Sequence, residues 1–338
     1  MKAQAISFLA ATVGALLVLL AIFLGSGQFT RFDTPLAAYA AATIFAIFAM
    51  VYRYVMWIQR PPTWRYFKAS WKLFLRPKRF AVNLVKLVGL LINNIVLQKF
   101  ISHRSSGRWL AHMCLAWGCL LAFAITFPLS WGWVQFGVEN DRYIVEFMGS
   151  RQFAFPPHSI IGWMLFNGLN ISAVLVLLGV AVAMHRRIFD RGAQAVQSLG
   201  ADLVPLFLLF AVSVTGLMLT ASYHYMGGQN FAFLSLLHAF TVVVLLLYMP
   251  FGKLFHVIQR PAQLGVAYYK EEGERGPKAL CIRSGIEYQS QMHHDDLVQT
   301  MKELGFDFGE HQNVSPEEKR KLIALNQAAV LGDVPFVG

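Results

Sequence analysis

Several histidines stand where an imidazole could ligate a metal inside a membrane. His238 and His256 are eighteen residues apart, or five α-helical turns, so both are expected to project from one helix face. A rise of about 1.5 Å per residue would place them about 27 Å apart along the axis, close to the roughly 30 Å thickness of the hydrocarbon core. One imidazole in each leaflet is what a helix shared by two stacked haems requires, because each iron takes its second axial ligand from a facing helix.

His112 lies near the start of a different apolar stretch, at the predicted depth of His256. His112 and His256 can therefore bracket one iron near one membrane face. Ionisable residues at membrane depth are costly and are usually functional. The alternative is that these are interfacial or helix-end histidines, satisfied by water, headgroups or a neighbouring carbonyl.

The helices that must position these histidines are apparent from the composition. The chain has 338 residues, of which 56% are hydrophobic and 14% charged, whereas a soluble domain is about a quarter charged. A transmembrane helix needs about 20 apolar residues. Six stretches qualify, so the predicted fold is an all-α polytopic membrane helix bundle of six transmembrane helices with a small cytoplasmic C-terminal tail. The six stretches are 6–24, 35–57, 109–130, 159–184, 203–222 and 231–255.

The charge distribution predicts the orientation of these spans. The net charge is +11, and the segment from Arg53 to Arg108 contains twelve Lys and Arg residues and no Asp or Glu. Because this block lies between apolar stretches, it indicates a cytoplasmic loop and argues against nucleic-acid binding. Loops 127–157 and 223–230 should then face outward, with the N- and C-termini cytoplasmic. We expect a multi-pass protein of the cytoplasmic (inner) membrane of a prokaryote.

Four regions follow along the chain. Residues 1–58 hold two N-terminal spans, the first of which we expect to be retained, since no small-residue cleavage site closes it. Residues 59–108 form a basic cytoplasmic segment, in which 80–100 is interpreted as an interfacial helix, with a buried seventh helix as the alternative. Residues 109–258 form the four-helix haem-binding bundle, and 259–338 a soluble cytoplasmic tail that docks on a partner. In that tail, helices are predicted at 295–304 and after the N-cap Ser315.

Three stretches of the bundle resemble a known family. They are Leu110-Ala111-His112 through Trp117-Gly118, residues 202–219, and Tyr248-Met249-Pro250-Phe251-Gly252-Lys253-Leu254-Phe255-His256. The resemblance, over roughly 110–260, is to the gamma subunit of respiratory nitrate reductase and to membrane subunits of heterodisulfide-reductase-like complexes. It implies a b-type cytochrome that passes electrons between membrane quinone and cytoplasmic iron–sulfur proteins.

The same resemblance implies ligands for the haem b groups. His112 and His256 match the pair for the cytoplasmic-side haem, and His238 matches one ligand of an outer haem. The family's partner position, ten residues after the first histidine, is Ala122 here. His158 or His224 would then replace the missing ligand. Alternatively, the protein has a single haem, and His238 contacts quinone or is structural.

Two arginines are candidate partners for haem propionates. Arg108 precedes His112, and Arg186 follows the fourth span. The alternative for both is a purely structural role, in which they anchor helix ends. No residue is predicted to be catalytic.

The three cysteines, Cys114, Cys119 and Cys281, are too few to hold an iron–sulfur cluster. An iron–sulfur or flavin centre must therefore belong to a partner subunit. The predicted function is an electron-transfer subunit of a quinone-linked membrane oxidoreductase. A haem-free membrane anchor or assembly subunit and a small transporter are the alternatives.

Overall fold

The computed structural model describes residues 2–332, and within them the chain is mainly α-helical. The last residues of the predicted tail, 333–338, lie outside the described residues. The α-helices are α1 (Lys2–Gly25), α2 (Ala37–Ile58), α3 (Pro61–Phe74), α4 (Phe80–Leu91), α5 (Lys99–Ser102), α6 (Ser106–Ser130), α7 (Ile160–Phe189), α8 (Arg191–Val196), α9 (Val204–Tyr225), α10 (Phe231–Tyr248), α11 (His256–Arg275), α12 (Gln291–Glu303) and α13 (Pro316–Leu331). The strands are β1 (Val134–Glu139), β2 (Arg142–Phe147), β3 (Ser150–Phe155), β4 (Lys278–Leu280) and β5 (Glu287–Ser290).

Seven helical segments of the described chain are long and apolar enough to cross a membrane, which confirms the all-α polytopic membrane bundle. They are Lys2–Gly25, Thr34–Ile58, Pro77–Val96, Ser106–Ser130, Ile160–Phe189, Leu199–Tyr225 and Phe231–Tyr248. Each of the six predicted spans corresponds to one of them. The additional segment, Pro77–Val96, lies where the sequence predicts an interfacial helix, with a buried seventh helix as the alternative. Its length and composition also suit a span.

The predicted sixth span is not one continuous helix. It ends at Tyr248, and a new helix begins at His256 after a turn. Pro250 causes this break, because proline has no N–H to donate back along the helix, and Gly252 continues the chain in an extended conformation (φ −90°, ψ −167°). The prediction that His238 and His256 project from one face of one helix, five turns apart, was therefore wrong.

Helices α6 and α7 approach each other closely at small residues. A Cβ on Gly118 would lie 2.7 Å from Val176 Cγ2, and one on Gly179 would lie 2.6 Å from Leu115 Cγ. The Ser172 hydroxyl donates to the Gly118 carbonyl at 2.8 Å. Small residues at the contact are the usual means by which membrane helices pack tightly. This contact fixes α6, and thus His112, against α7.

A three-stranded antiparallel sheet, in the order β1-β2-β3, connects α6 to α7 in what the sequence predicts as a loop. Two-residue turns join its strands, at Asn140-Asp141 and at Met148-Gly149, and all four turn residues have positive φ. Such turns match the twist of antiparallel strands and produce tight hairpins.

Contacts divide the chain into two compact units. One comprises the residues up to Met56 together with Leu91–Gln259, and the other comprises Trp57–Leu90 and the residues from Arg260 onward. The first unit contains the bundle, whose core lies between α6, α7, α9 and α10. The core side chains include Leu115, Val176, Val180, Leu206, Leu209 and Leu245.

In the second unit, the basic segment packs with the tail. The rings of Tyr66 and Tyr269 lie 4.7 Å apart, and Arg76 donates to Glu272 at 2.5 Å. Helices α12 and α13 agree with the predicted tail helices. The Ser315 side chain accepts from the Glu318 amide at 3.3 Å, which confirms the predicted N-cap.

Candidate functional site

The structure brings His112 and His256 together in the first unit. Their ring centroids are 6.2 Å apart, and the ring planes are inclined by 66°. His112 lies in the second turn of α6, and His256 is the first residue of α11. Both side chains are half-buried. Two helices that are distant in the sequence therefore bring two imidazoles close together, edge to face.

This spacing fits two ligands on opposite sides of one metal. An imidazole nitrogen lies about 1.1 Å from its ring centre and binds a metal at about 2.0–2.1 Å. Two such ligands in line therefore place their ring centroids about 6.3 Å apart. The observed 6.2 Å agrees with this value.

The donor set favours haem over a bare metal ion. Among residues 2–332, no group of three or more His, Cys, Asp or Glu side chains could hold a metal ion. A free ion needs more protein ligands than two, whereas haem iron receives four from the porphyrin and needs only axial ligands from the chain. A bis-histidine haem is thus the metal centre that these residues fit.

The His256 ring is oriented by a backbone carbonyl. Its Nδ1 lies 2.5 Å from the Lys253 carbonyl oxygen. A carbonyl can only accept, so we assign the proton to Nδ1, which leaves the Nε2 lone pair available for a metal. Ligating histidines usually donate their other N–H in this way, which fixes the tautomer and the ring orientation.

Asp202 holds the turn that supplies this carbonyl. Its Oδ1 accepts from the Lys253 ammonium and from Arg187 at 3.3 Å, and its Oδ2 accepts from the Ser198 amide at 2.9 Å. The Asp202 side chain is only 10% exposed, so solvent screens these contacts weakly. The carboxylate thus links the segment before α9 to the turn before His256.

A cavity of about 530 Å³ adjoins His256. Two of its lining residues are cationic, Arg53 and Lys253, and none is acidic. The Arg53 guanidinium lies 4.3 Å from the Phe255 ring centroid and donates to the Pro250 carbonyl. The other lining residues are Gly200, Ala201, Tyr248, Phe251, Gly252, Phe255, His256 and Gln259. A lining of aromatic side chains with an arginine among them suits a flat apolar group that carries carboxylates.

His238 has different surroundings. Its Nδ1 lies 2.9 Å from Thr215 Oγ1, and that hydroxyl donates to the Ala211 carbonyl at 2.7 Å. We therefore assign the proton to Nδ1 of His238. The ring also packs against Gly216, where an added Cβ would lie 3.3 Å from Cε1. His238 is thus held by α9, with Nε2 as its unprotonated nitrogen.

The other two predicted histidine ligands, His158 and His224, lie at exposed positions. His158 is exposed in the turn before α7, and His224 is exposed near the end of α9, where its ring contacts Tyr223 and Tyr225. In the part of the chain that the structure describes, neither forms with His238 a contact like that between His112 and His256. The structure assembles one histidine pair there.

The two predicted arginines are placed differently. Arg108 is exposed in the first turn of α6, four residues before His112 and so on the same helix face. Arg186 lies 3.6 Å from Asp190 at the end of its own helix. This position matches the helix-anchor alternative for Arg186.

Sequence reasoning missed Arg53, Asp202 and Lys253 as neighbours of His256. Pro250 and Gly252 were the available signal, because a proline and a glycine within three residues predict a turn that exposes carbonyls to nearby donors. Arg53 is nearly 200 positions away in the sequence, and no local pattern links it to that turn.

Comparisons with protein-family models, curated proteins and solved structures found no match to this chain.

Proposed function

We propose that this protein is the b-type cytochrome membrane subunit of an oxidoreductase complex. It would transfer electrons between membrane quinone and a cytoplasmic iron–sulfur or flavoprotein partner. The observation that carries the proposal is the pair of His112 and His256, two histidines from different helices whose ring centroids are separated by a distance that suits two ligands of one haem iron.

Haem bound at this pair would supply one-electron transfer. The residues around the pair have defined roles. His112 and His256 would hold the haem iron, the Lys253 carbonyl would fix the tautomer of His256, and Arg53 would supply positive charge in the lining of the cavity. The Lys253 ammonium is paired with Asp202. The close α6–α7 contact limits the movement of His112. The site would be preorganised, so little rearrangement should accompany a change of redox state.

The small number of cysteines and the packing of the second unit support the proposed partners. Three cysteines cannot hold an iron–sulfur cluster, so the next electron carrier belongs to another subunit. The part of the basic segment up to Leu90 and the tail, which pack together as one unit, are the proposed docking region. The excess of Lys and Arg in that region supports a cytoplasmic location for it and for both termini, in the inner membrane of a prokaryote.

Three roles are proposed for His238: a ligand of an outer haem, a quinone contact and a structural histidine. Its Nε2 suits each of these roles. The hydrogen bond to Thr215 and the contact with Gly216 support the structural role, because they satisfy the ring within the bundle. An outer haem would need a second ligand, for which His158 and His224 are the candidates.

The proposal is tested by whether the protein binds haem and whether a quinol reduces that haem. Purified protein in detergent should show the α band of a low-spin haem on reduction, and a quinol analogue should reduce that haem. A haem-free anchor or a transporter would show neither signal. Purified protein that lacks the band after expression with excess haem precursor would exclude the proposal.

A further inference from the structure

The sheet β1–β3 has one face that is mostly apolar. Strand pairing places Phe136 opposite Val145, Val138 opposite Tyr143, and Val145 opposite Phe153. Because side chains alternate across a sheet, these residues and their register partners share one face. Its apolar and aromatic members are Val134, Phe136, Val138, Tyr143, Val145, Phe147, Phe153 and Phe155. Ser150, the register partner of Phe147, lies on the same face at its end.

The opposite face carries the charge. Glu139 pairs with Arg142 in register and accepts from Arg151 at 2.8 Å, and both side chains of the Glu139–Arg151 ion pair are more than half exposed. Ile144 and Ala154 are the apolar residues on this face, and Ile144 is buried. The sheet is therefore amphipathic, with one charged and one aromatic surface.

The apolar face is only partly covered by protein. Phe155 is 2% exposed, but Val138 is 71% exposed and Phe153 46%. Isolated apolar side chains at a surface are common, but a contiguous apolar patch marks an interaction site.

This face is continuous with the outer surface of α7. Phe166, in the second turn of α7, has its ring 5.2 Å from that of Phe136 and 4.9 Å from that of Tyr143. The neighbouring helix residues Ile160 and Trp163 are 79% and 59% exposed. A helix of a membrane bundle exposes such residues to lipid. The lipid-facing surface of α7 thus extends onto the sheet.

We propose that the sheet β1–β3 lies on the membrane, with its aromatic face in the headgroup and upper acyl region of one leaflet. The sheet has open edges, and unpaired backbone groups are not tolerated in hydrocarbon. Its backbone must therefore stay at the hydrated interface, and the apolar side chains reach inward from there, as in amphipathic interfacial helices. The inference is independent of the haem proposal.

Fluorescence quenching of the full chain in lipid nanodiscs tests this placement. Val138→Cys and the matched control Glu139→Cys place a thiol at adjacent positions on opposite faces, in a background with Cys114, Cys119 and Cys281 replaced by Ser. Each thiol is labelled with a small fluorophore. Phe153→Cys repeats the measurement on a second strand in case Val138→Cys folds poorly.

The label at 138 should be quenched several-fold more than that at 139 by lipid carrying a nitroxide near the headgroup. Aqueous iodide should show the reverse preference. Equal iodide quenching at the two positions would overturn the proposal, since the face would then be in water. Protection of position 138 from both quenchers would also overturn it, because a protein surface would then cover the face.

Discussion

At the residue scale, the candidate site depends on how one imidazole is held. His256 begins a helix instead of ending one, and its Nδ1 is fixed by the Lys253 carbonyl. The sequence identified the two histidines from their predicted depth in the membrane. It did not reveal the hydrogen bond to the Lys253 carbonyl or the Asp202 carboxylate that pairs with Lys253, because Asp202 and Lys253 meet only through the tertiary fold.

Asp202→Asn should loosen the turn that orients His256. The amide keeps the size of the side chain but removes the negative charge that faces Lys253 and Arg187. Hydrogen bonds to charged groups contribute about 1.5–3 kcal/mol each, so haem should dissociate faster and the thermal midpoint should fall. Haem retention is measured by absorbance during incubation with apomyoglobin.

Asp141→Asn is the matched control, because Asp141 is exposed in a hairpin turn with φ of 56°, which Asn adopts readily. This control should retain haem like the wild type. Equal retention in both variants would show that Asp202 does not position His256.

Protonation of Glu272 at acidic pH should lower the stability of the second unit. The hydrogen bond from Arg76 holds the pKa of this carboxyl below its ordinary value of 4.5. A lowered folded-state pKa stabilises the fold above the ordinary value, and the contribution is lost as the pH falls through the folded-state pKa. Hydrogen exchange of α3 and α11 should therefore accelerate as the pH falls below about 4.5, after correction for intrinsic rates.

Glu272→Gln should reduce that pH dependence, since the amide does not titrate. The neighbouring Glu274 is exposed, and Glu274→Gln should keep the full dependence. The same acid response in wild type and Glu272→Gln would assign it to other carboxyl groups.

At the element scale, the apolar stretches were predictable, and their interruptions were harder to recognise. Six predicted spans appear as long helices because about 20 apolar residues suffice to identify each. The last predicted span is interrupted at Pro250. The hydropathy pattern did not reveal this break, because it averages over a single proline. The sheet between α6 and α7 was missed because two short turns with positive φ, at Asn140-Asp141 and Met148-Gly149, decide its hairpins. Neither turn contains the common Asn-Gly signal.

Gly179→Ala should push α6 away from α7 and disturb His112. The new methyl group would lie 2.6 Å from Leu115 Cγ and 2.8 Å from the Ala111 carbonyl, directly before His112. Overpacking of this kind costs about 1–3 kcal/mol. Both the thermal midpoint and haem occupancy should fall, as measured by differential scanning fluorimetry and by a pyridine haemochrome assay.

Gly89→Ala is the matched control, because the added methyl group would meet no atom within 4 Å other than those of its chain neighbours and its own helix backbone. It should be neutral or slightly stabilising, since Ala favours a helix over Gly by about 1 kcal/mol. Similar losses of haem in the two variants would argue that the α6–α7 contact does not support the site.

At the scale of the whole molecule, the sequence predicted the class of protein better than its organisation. Low charge and long apolar runs were enough to identify a polytopic membrane bundle. The basic segment and the tail were predicted as separate regions, but the part of the basic segment up to Leu90 packs with the tail into one unit through contacts such as Arg76 with Glu272. Pairings between residues almost 200 positions apart leave no periodic pattern in the sequence.

The haem content and axial ligation of histidine variants test the central claim most directly. Wild-type protein, His112→Ala, His256→Ala and the exposed control His311→Ala are purified in parallel, and haem per chain and the low-spin electron paramagnetic resonance signal are measured. The account predicts that each of the first two substitutions abolishes the low-spin signal of the paired site while the protein remains inserted. The control should keep that signal. Unchanged low-spin haem in both His112→Ala and His256→Ala would contradict the account.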